Sequence, residues 1–414
     1  MEKQNENKEK DLTGALFASP TPGEISIVCI SPWDTANHPN SQNEFISIFN
    51  QILECGFNMI MITQDLITDM AVSAATNVGL KVIIQRNSDP KRDIVQCAIK
   101  YKNNFMVPIF ELWDEPSYND LTTEDYIDLY QTVKSYAPSK GLYFNLASNF
   151  ANTDYNWNSR LNWVFINYNP TIWSFDFYPL IIKNGVTINH CRALFDYLKI
   201  FSSISQSTGK PFWSNVICTE YYIPEDYSRP YPTEQQMRCA TFAALAMGAQ
   251  GISFWHYTNR EPDPRTGEIY TNSPIKDRVK TPIWYSLQNV ISEIKKYSYI
   301  FVNCILDYSH MSATNSLISI STGPLNTIVS NSDNVIITQV HVDKIYYVVM
   351  VNMSVEFSAT LTLNFYRDYM QKYMWNKVTS NVPSSMGPTL NPEESQFVKK
   401  VVIEPGDYAI LYWK

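Results

Sequence analysis

The sequence predicts a (β/α)8 barrel followed by an all-β sandwich. Between about residues 24 and 300, eight short apolar runs alternate with amphipathic, helix-length segments, the repeat of a parallel barrel. After residue 301 helical periodicity is lost, and strand-like runs alternate with Asn, Gly, Pro and Ser clusters, as in a sandwich. A chain of 414 residues exceeds one ordinary core and suits a large domain with a smaller one.

In order, the barrel strands are expected at Ile25–Ser31, Asn58–Thr63, Lys81–Gln85, Phe105–Leu112, Leu142–Ala147, Trp173–Tyr178, Phe212–Cys218 and Ile252–Tyr257. Helix boundaries fall between them. Ser41 with Glu44 forms a capping-box pattern ahead of the stripe Phe45, Ile48, Phe49, Ile52 and Leu53, which Gly56 ends. Asp89-Pro90 starts another helix, and Pro suits a first turn. Thr122 with Asp125, and Thr233 with Gln236, open two more; the last barrel helix runs over about Pro282–Tyr297. Beyond it, Val335–Val342, Ile345–Val351, Ala359–Phe365, Phe397–Ile403 and Tyr408–Trp413 read as strands. The expected organisation is a disordered polar tail over residues 1–22, a barrel over 23–302 and a sandwich over 303–414.

Composition narrows the function. The net charge is -8 with no long basic run, which argues against nucleic acid as partner. Aromatic residues make up 14% of the chain; flat rings with polar edges suit sugars, although ordinary packing accounts for most of them. The seven cysteines are scattered without a C-x-x-C pair and read as buried free thiols. None of the five histidines stands in H-x-H or H-E-x-x-H spacing, so no metal site and no cofactor are expected. No apolar run is long enough for a spanning helix, and the first residues lack the apolar core of a signal peptide. The compartment stays open: cytoplasmic, or secreted or periplasmic if an export signal has been trimmed.

The chemistry is expected at the carboxyl ends of the strands. The fourth strand runs into Glu111-Leu-Trp-Asp-Glu-Pro116, three carboxylates around one indole, and Pro116 ends sheet pairing. The first strand leads to Trp33 and Asp34, the third to Arg86, the fifth to Asn145, the sixth to Asp176 and Tyr178. The seventh leads to Trp213, Asn215 and then Glu220, and the eighth to Trp255 and His256. A rim of Trp, Tyr, Asp, Glu and Asn, without a His cluster or a Gly-rich phosphate loop, fits carbohydrate chemistry. Glycoside cleavage needs two carboxyls, a proton donor and a nucleophile or base. Glu115, beside Trp113 and Asp114, is the expected donor; the competing reading is a rim salt bridge.

Several other residues admit plainer readings. Asp34 and Arg86 can simply pair with each other, Tyr178 and Trp213 can be wall packing, and His256 a satisfied core histidine. The charged loop Thr258–Asp277 can cover the site or merely connect strand and helix.

These motifs carry a resemblance. Trp-Asp-Glu-Pro resembles the Asn-Glu-Pro of the clan A retaining glycoside hydrolases, which include the family 42 β-galactosidases. The ordered set Trp113-Asp-Glu-Pro-Ser117, Ser174-Phe-Asp-Phe-Tyr-Pro179, Lys210-Pro-Phe-Trp213 and Met247-Gly-Ala-Gln-Gly-Ile-Ser-Phe-Trp255 is similar to a group of glycoside-hydrolase-like barrels. The resemblance spans most of residues 24–300. It implies Glu115 as acid/base and Trp255 as the platform under the sugar. Two departures stand out. Asp114 replaces the Asn that holds the sugar's 2-hydroxyl, and an ionised Asp only accepts hydrogen bonds. The nucleophilic Glu of the seventh strand would fall nearer Asn215 or Val216 than Glu220. Glu220 is the expected partner of Glu115, with Asp176 second. The expected function is a retaining glycoside hydrolase acting on a β-linked oligosaccharide or polysaccharide fragment. The alternative is a carbohydrate-binding protein on a glycosidase-like barrel that has lost its nucleophile.

Overall fold

A computed structural model of the protein describes residues 24–33, 38–64, 66–86, 93–147, 157–224, 226–259, 262, 267–320, 325–366, 376–378, 384–385, 389–390 and 396–413. Asp34, the helix start at Asp89-Pro90, the polar tail and four charged residues of the loop after the eighth strand lie outside them. Eight parallel strands close into a barrel in the order of the sequence. They are β1 (Ser26–Ile30), β2 (Met59–Thr63), β3 (Lys81–Gln85), β4 (Ile109–Asp114), β5 (Gly141–Ala147), β6 (Trp173–Asp176), β7 (Phe212–Ile217) and β8 (Gly251–Trp255). The fourth starts four residues later than expected, because the chain first makes turns at 102–106 and Val107 bonds back to Asn104.

Alternation sorts each strand's side chains into two cores. Val28, Ile30, Met59, Met61, Ile83, Ile109, Tyr143 and Trp213 fill the barrel. Ile27, Cys29, Ile60, Ile62, Val82, Ile84, Leu142 and Phe254 face the helices. The seven cysteines are free thiols, six of them buried.

The caps explain where helices begin. The Thr233–Gln236 box is reciprocal, each side chain bonded to the other residue's backbone N–H. Ser41 caps its helix through Glu44 N, but the Glu44 carboxylate accepts from Asn40 N rather than from Ser41. Thr123, not Thr122, is the N-cap of Glu124–Tyr136. Among the described residues no helix is long and apolar enough to cross a membrane.

Residues beyond 304 form two antiparallel sheets. One runs through Ile305–Met311, Val335–Val342, Ile345–Asn352 and Tyr408–Trp413; the other through Leu325–Ser330, Ala359–Tyr366 and Gln396–Ile403. Their facing sides share a core of Val335, Ile337, Val348, Met350, Leu361 and Leu363. The first sheet's other side, with Ile336, Val340, Val349, Val351, Tyr408 and Ile410, joins the core around the barrel helices. Val335–Val342 is thus buried on both faces over its first six residues, and it opens on three consecutive apolar residues, Val335, Ile336 and Ile337, rather than alternating.

Candidate active site

The fourth strand does not keep a period of two to its end. Glu111 pairs with Tyr143, but the next partners are Trp113 with Phe144, so Leu112 is an extra residue. This β-bulge turns both Leu112 and Trp113 toward the helices and returns Asp114 to face Asn145. Trp113, expected beside the sugar, therefore lies buried on Tyr126 (ring centroids 4.5 Å apart, 15° between planes), with Arg86 over its ring at 5.8 Å. Glu115 follows with a left-handed backbone (φ 50°), which ends the strand and leaves its side chain exposed.

Three polar layers result. Deepest, Glu111 is fully buried inside the barrel, accepting from Tyr143 Oη at 2.6 Å and Gln85 Nε2 at 3.1 Å. Burial, then the charge of Asp114, pushes its carboxyl up to about 8. Above it, Asp114 accepts from Asn145 Nδ2 at 3.2 Å, and Asn145 Oδ1 accepts from Ser174 Oγ at 2.9 Å. Outermost, the carboxyl of Asp176 at the end of β6 lies within hydrogen-bonding reach of Glu115. Asp176 Oδ1 is buried and receives no hydrogen bond from a protein donor. Burial, then the charge of Glu115 and a hydrogen bond to it, then the charge of Asp114, holds Asp176 well above the usual carboxylate range. Burial and two neighbouring carboxylates thus act together to favour the protonated form of Asp176.

Beside the pair stands an aromatic face. Tyr178 stacks on Trp255 (5.8 Å, 18°), and Tyr221 and Tyr270 meet Trp255 edge-on at 5.4 and 5.8 Å. His256 is buried against Tyr270 at 5.6 Å. The Trp255–His256 peptide bond is cis. Tyr178 follows Asp176 by two residues at the end of β6, and burial, then the charges of Asp176, Tyr221, Glu115 and Asp114, holds its hydroxyl well above the usual range.

Of the other expected residues, Asn215 adjoins Asp176 and the rest lie elsewhere. Trp33 is buried among His38, Phe45 and Phe49, outside the barrel mouth. Trp213 is wholly buried in the barrel interior against Tyr143, below the mouth. Asn215 is nearly buried and pairs in register with Asp176. Glu220 begins a short strand of a separate five-stranded sheet. Its carboxylate accepts from Thr271 Oγ1 at 2.8 Å and from Asn272 Nδ2, and its charge acts on Tyr231. A cavity of about 120 Å³ bounded by Trp33, Ser47, Ile48, Tyr257, Thr258 and Arg278 lies over the first helix. It does not include the carboxyls, and we attach no chemistry to it. Glu111, Tyr143, Tyr221, Arg229 and Tyr270 carried no expected role. Glu111 was visible as a third carboxylate of its motif, whereas the other four had no local signal.

No family model matches the sequence, and no curated protein sequence matches it. Solved structures do match. The chain is similar to a catalytic mutant of the family 42 β-galactosidase Gan42B from G. stearothermophilus, at 6% identity and TM-score 0.61, over 95% of this chain and 98% of that one. It is similar to the α-amylase from Geobacillus thermoleovorans complexed with acarbose, at 10% identity and TM-score 0.53, over 95% and 99% of the two chains. It is also similar to AmyP in complex with maltose, at 8% identity and TM-score 0.54, over 96% and 98%. Likeness at such low identity is likeness of fold: the chain shares with these structures a (β/α)8 barrel followed by a C-terminal β domain.

Proposed function

We propose that this protein is a glycoside hydrolase in which Glu115 and Asp176 are the working carboxyl pair and the Tyr178–Trp255 face is the sugar platform. The contact between the two carboxyls carries the reading. Two adjoining carboxyls at the strand ends are the groups that double displacement needs, an acid for the leaving oxygen and a carboxylate for the anomeric carbon. A direct contact is shorter than both the retaining spacing of about 5–5.5 Å and the inverting spacing of about 6.5–9.5 Å, so a bound sugar has to part the two carboxyls. We assign Glu115, exposed at the rim, as acid/base and Asp176 as nucleophile. Positive charge growing at the anomeric carbon favours an ionised Asp176 in the transition state, and the exposed rim position of Glu115 suits a group that exchanges protons with the leaving oxygen and with water. Asp176 is assigned in preference to Glu220, whose carboxylate is already bonded to Thr271 and Asn272. A β-linked, neutral oligosaccharide is the proposed substrate, with the resemblance of the strand-end motifs as its support.

Two variants test the roles. Glu115→Gln should lower turnover by about 10²–10⁴-fold for poor leaving groups and far less for activated aryl glycosides, which need little protonation. Asp176→Asn should be equally damaging for both. Equal losses in Glu115→Gln, or an active Asp176→Asn, would reject the assignment.

One observation favours a second reading. The inward residues of β7 are Trp213, Asn215 and Ile217, and none is a carboxylate. A sugar-binding barrel without turnover follows if both variants bind oligosaccharide as tightly as the unmodified protein and none of the three hydrolyses it.

A further inference from the structure

The mouth of the barrel carries a sheet that barrel closure does not require. Its strands come from three loops: Leu180–Lys183 and Val186–Asn189 after β6, Glu220–Tyr222 and Ser228–Arg229 after β7, and Ile269–Asn272 after β8. The centre of this sheet is thin. The strand Ser228–Arg229 has two residues and meets its neighbours through Ser228 with Ile182, Tyr221 with Arg229, and Tyr222 with Ser228. So short a ladder holds little by itself.

A side chain supplies the missing constraint. Arg229 Nη1 donates to the carbonyl oxygens of Tyr178 at 2.6 Å and Leu180 at 3.0 Å. Its Nε reaches Tyr221 Oη at 3.4 Å. Its guanidinium lies 5.4 Å from the centre of the Tyr178 ring and 5.1 Å from that of Tyr227. Tyr178 and Tyr221 arrive from different loops, and both pack on Trp255. One planar cation therefore joins the two loops where they present their rings. A lysine could not do the same: its ammonium has donors for two carbonyls, but no second nitrogen to reach Tyr221 and no plane for ring contact.

We propose that Arg229 is a positioning residue for the sugar platform: it fixes Tyr178 and Tyr221 against Trp255 and so sets the affinity of the mouth for a neutral sugar ring. It acts through the aromatic face and not through the carboxyl pair. The nature of the ligand rests on the carbohydrate reading above.

The test compares Arg229→Met, Arg229→Lys, Tyr178→Ala and the double variant Arg229→Met/Tyr178→Ala, with lactose and cellobiose as probes. Binding is measured calorimetrically in the Glu115→Gln background, and KM and kcat with aryl glycosides in the otherwise unmodified protein. Arg229→Met should weaken binding and raise KM by about 10-fold, with a smaller fall in kcat. Arg229→Lys should restore little. In the Tyr178→Ala background Arg229→Met should lose little further, since its effect travels through that ring. Unchanged binding, full additivity with Tyr178→Ala, or losses in kcat and melting temperature without a KM effect would each overturn the proposal. Sugar binding that depends on Arg229 without any turnover would uphold it while rejecting hydrolysis. Normal turnover indifferent to Arg229 would do the reverse. Absence of binding to either probe and of turnover would reject both.

Discussion

A carboxyl group inside a barrel must be neutral, paired or strongly hydrogen-bonded. Glu111 takes two hydrogen bonds and still has its carboxyl raised to about 8, because loss of water outweighs both bonds. The consequence is a pH-dependent stability. Between 4.5, its ordinary value, and about 8, the unfolded chain releases this proton while the folded chain keeps it. The unfolded state then binds fewer protons, so stability falls as pH rises through that window and levels off above it. The full span is on the order of 5 kcal/mol. Glu111→Gln keeps a similar shape and cannot ionise. Its denaturant midpoint should lose this slope between pH 5 and 8 (about the window just given), relative to the parent. A parent whose stability is flat or rising there would contradict the account. Asp176 adds a slope of the same sign, since it too is raised, so the subtraction against the variant is what isolates Glu111.

Elements, in turn, decide which way a residue looks. Alternation alone puts Glu111, Trp113 and Glu115 on one face of β4. The extra residue at Leu112 breaks that phase and hands the inward position to Asp114. A neighbouring element shows how tightly the interior is filled. A Cβ on Gly251 would stand 2.5 Å from Cδ1 and Nε1 of the Trp213 indole, and Trp213 is fully buried. Gly251→Ala should therefore cost about 1–3 kcal/mol by overpacking. The cost should shrink when Trp213→Leu opens the space, so the two changes should be non-additive in urea unfolding. Additive losses would mean that β7 and β8 can part without moving the indole.

At the scale of the whole molecule, the sandwich is docked through a mixed interface. Phe242 stacks on Tyr408 at 3.8 Å and 17°. Tyr408 Oη donates to Glu293 Oε2 at 3.0 Å, and Glu293 Oε1 accepts from Arg238 Nε at 3.0 Å. Arg238 and Glu293 side chains are only 11% and 13% exposed, and Arg238 also pairs with Glu234, so removing Glu293 leaves the guanidinium with one carboxylate and Tyr408 Oη without its acceptor. Glu293→Ala should destabilise by about 1–3 kcal/mol, while Glu293→Gln, which keeps an acceptor, should cost less. Thermal unfolding of the two variants compares them directly; equal and negligible losses would show that the sandwich is held by its apolar contacts alone.

The sequence by itself determined the eight βα units, the order of the strands and the β-rich end, because periodicity and caps are local properties of the chain. It also marked Glu115, Asp176, Tyr178 and Trp255 as strand-end residues. Only the tertiary structure decided which of these meet. The bulge at Leu112 sends Trp113 outward, and the added sheet engages Glu220 with Thr271 and Asn272. Closure of the barrel brings the ends of β4 and β6 to one mouth, where Asp176 stands among the charges of Glu115 and Asp114. Those outcomes depend on register and on contacts between loops far apart in sequence, which no local pattern of side chains encodes.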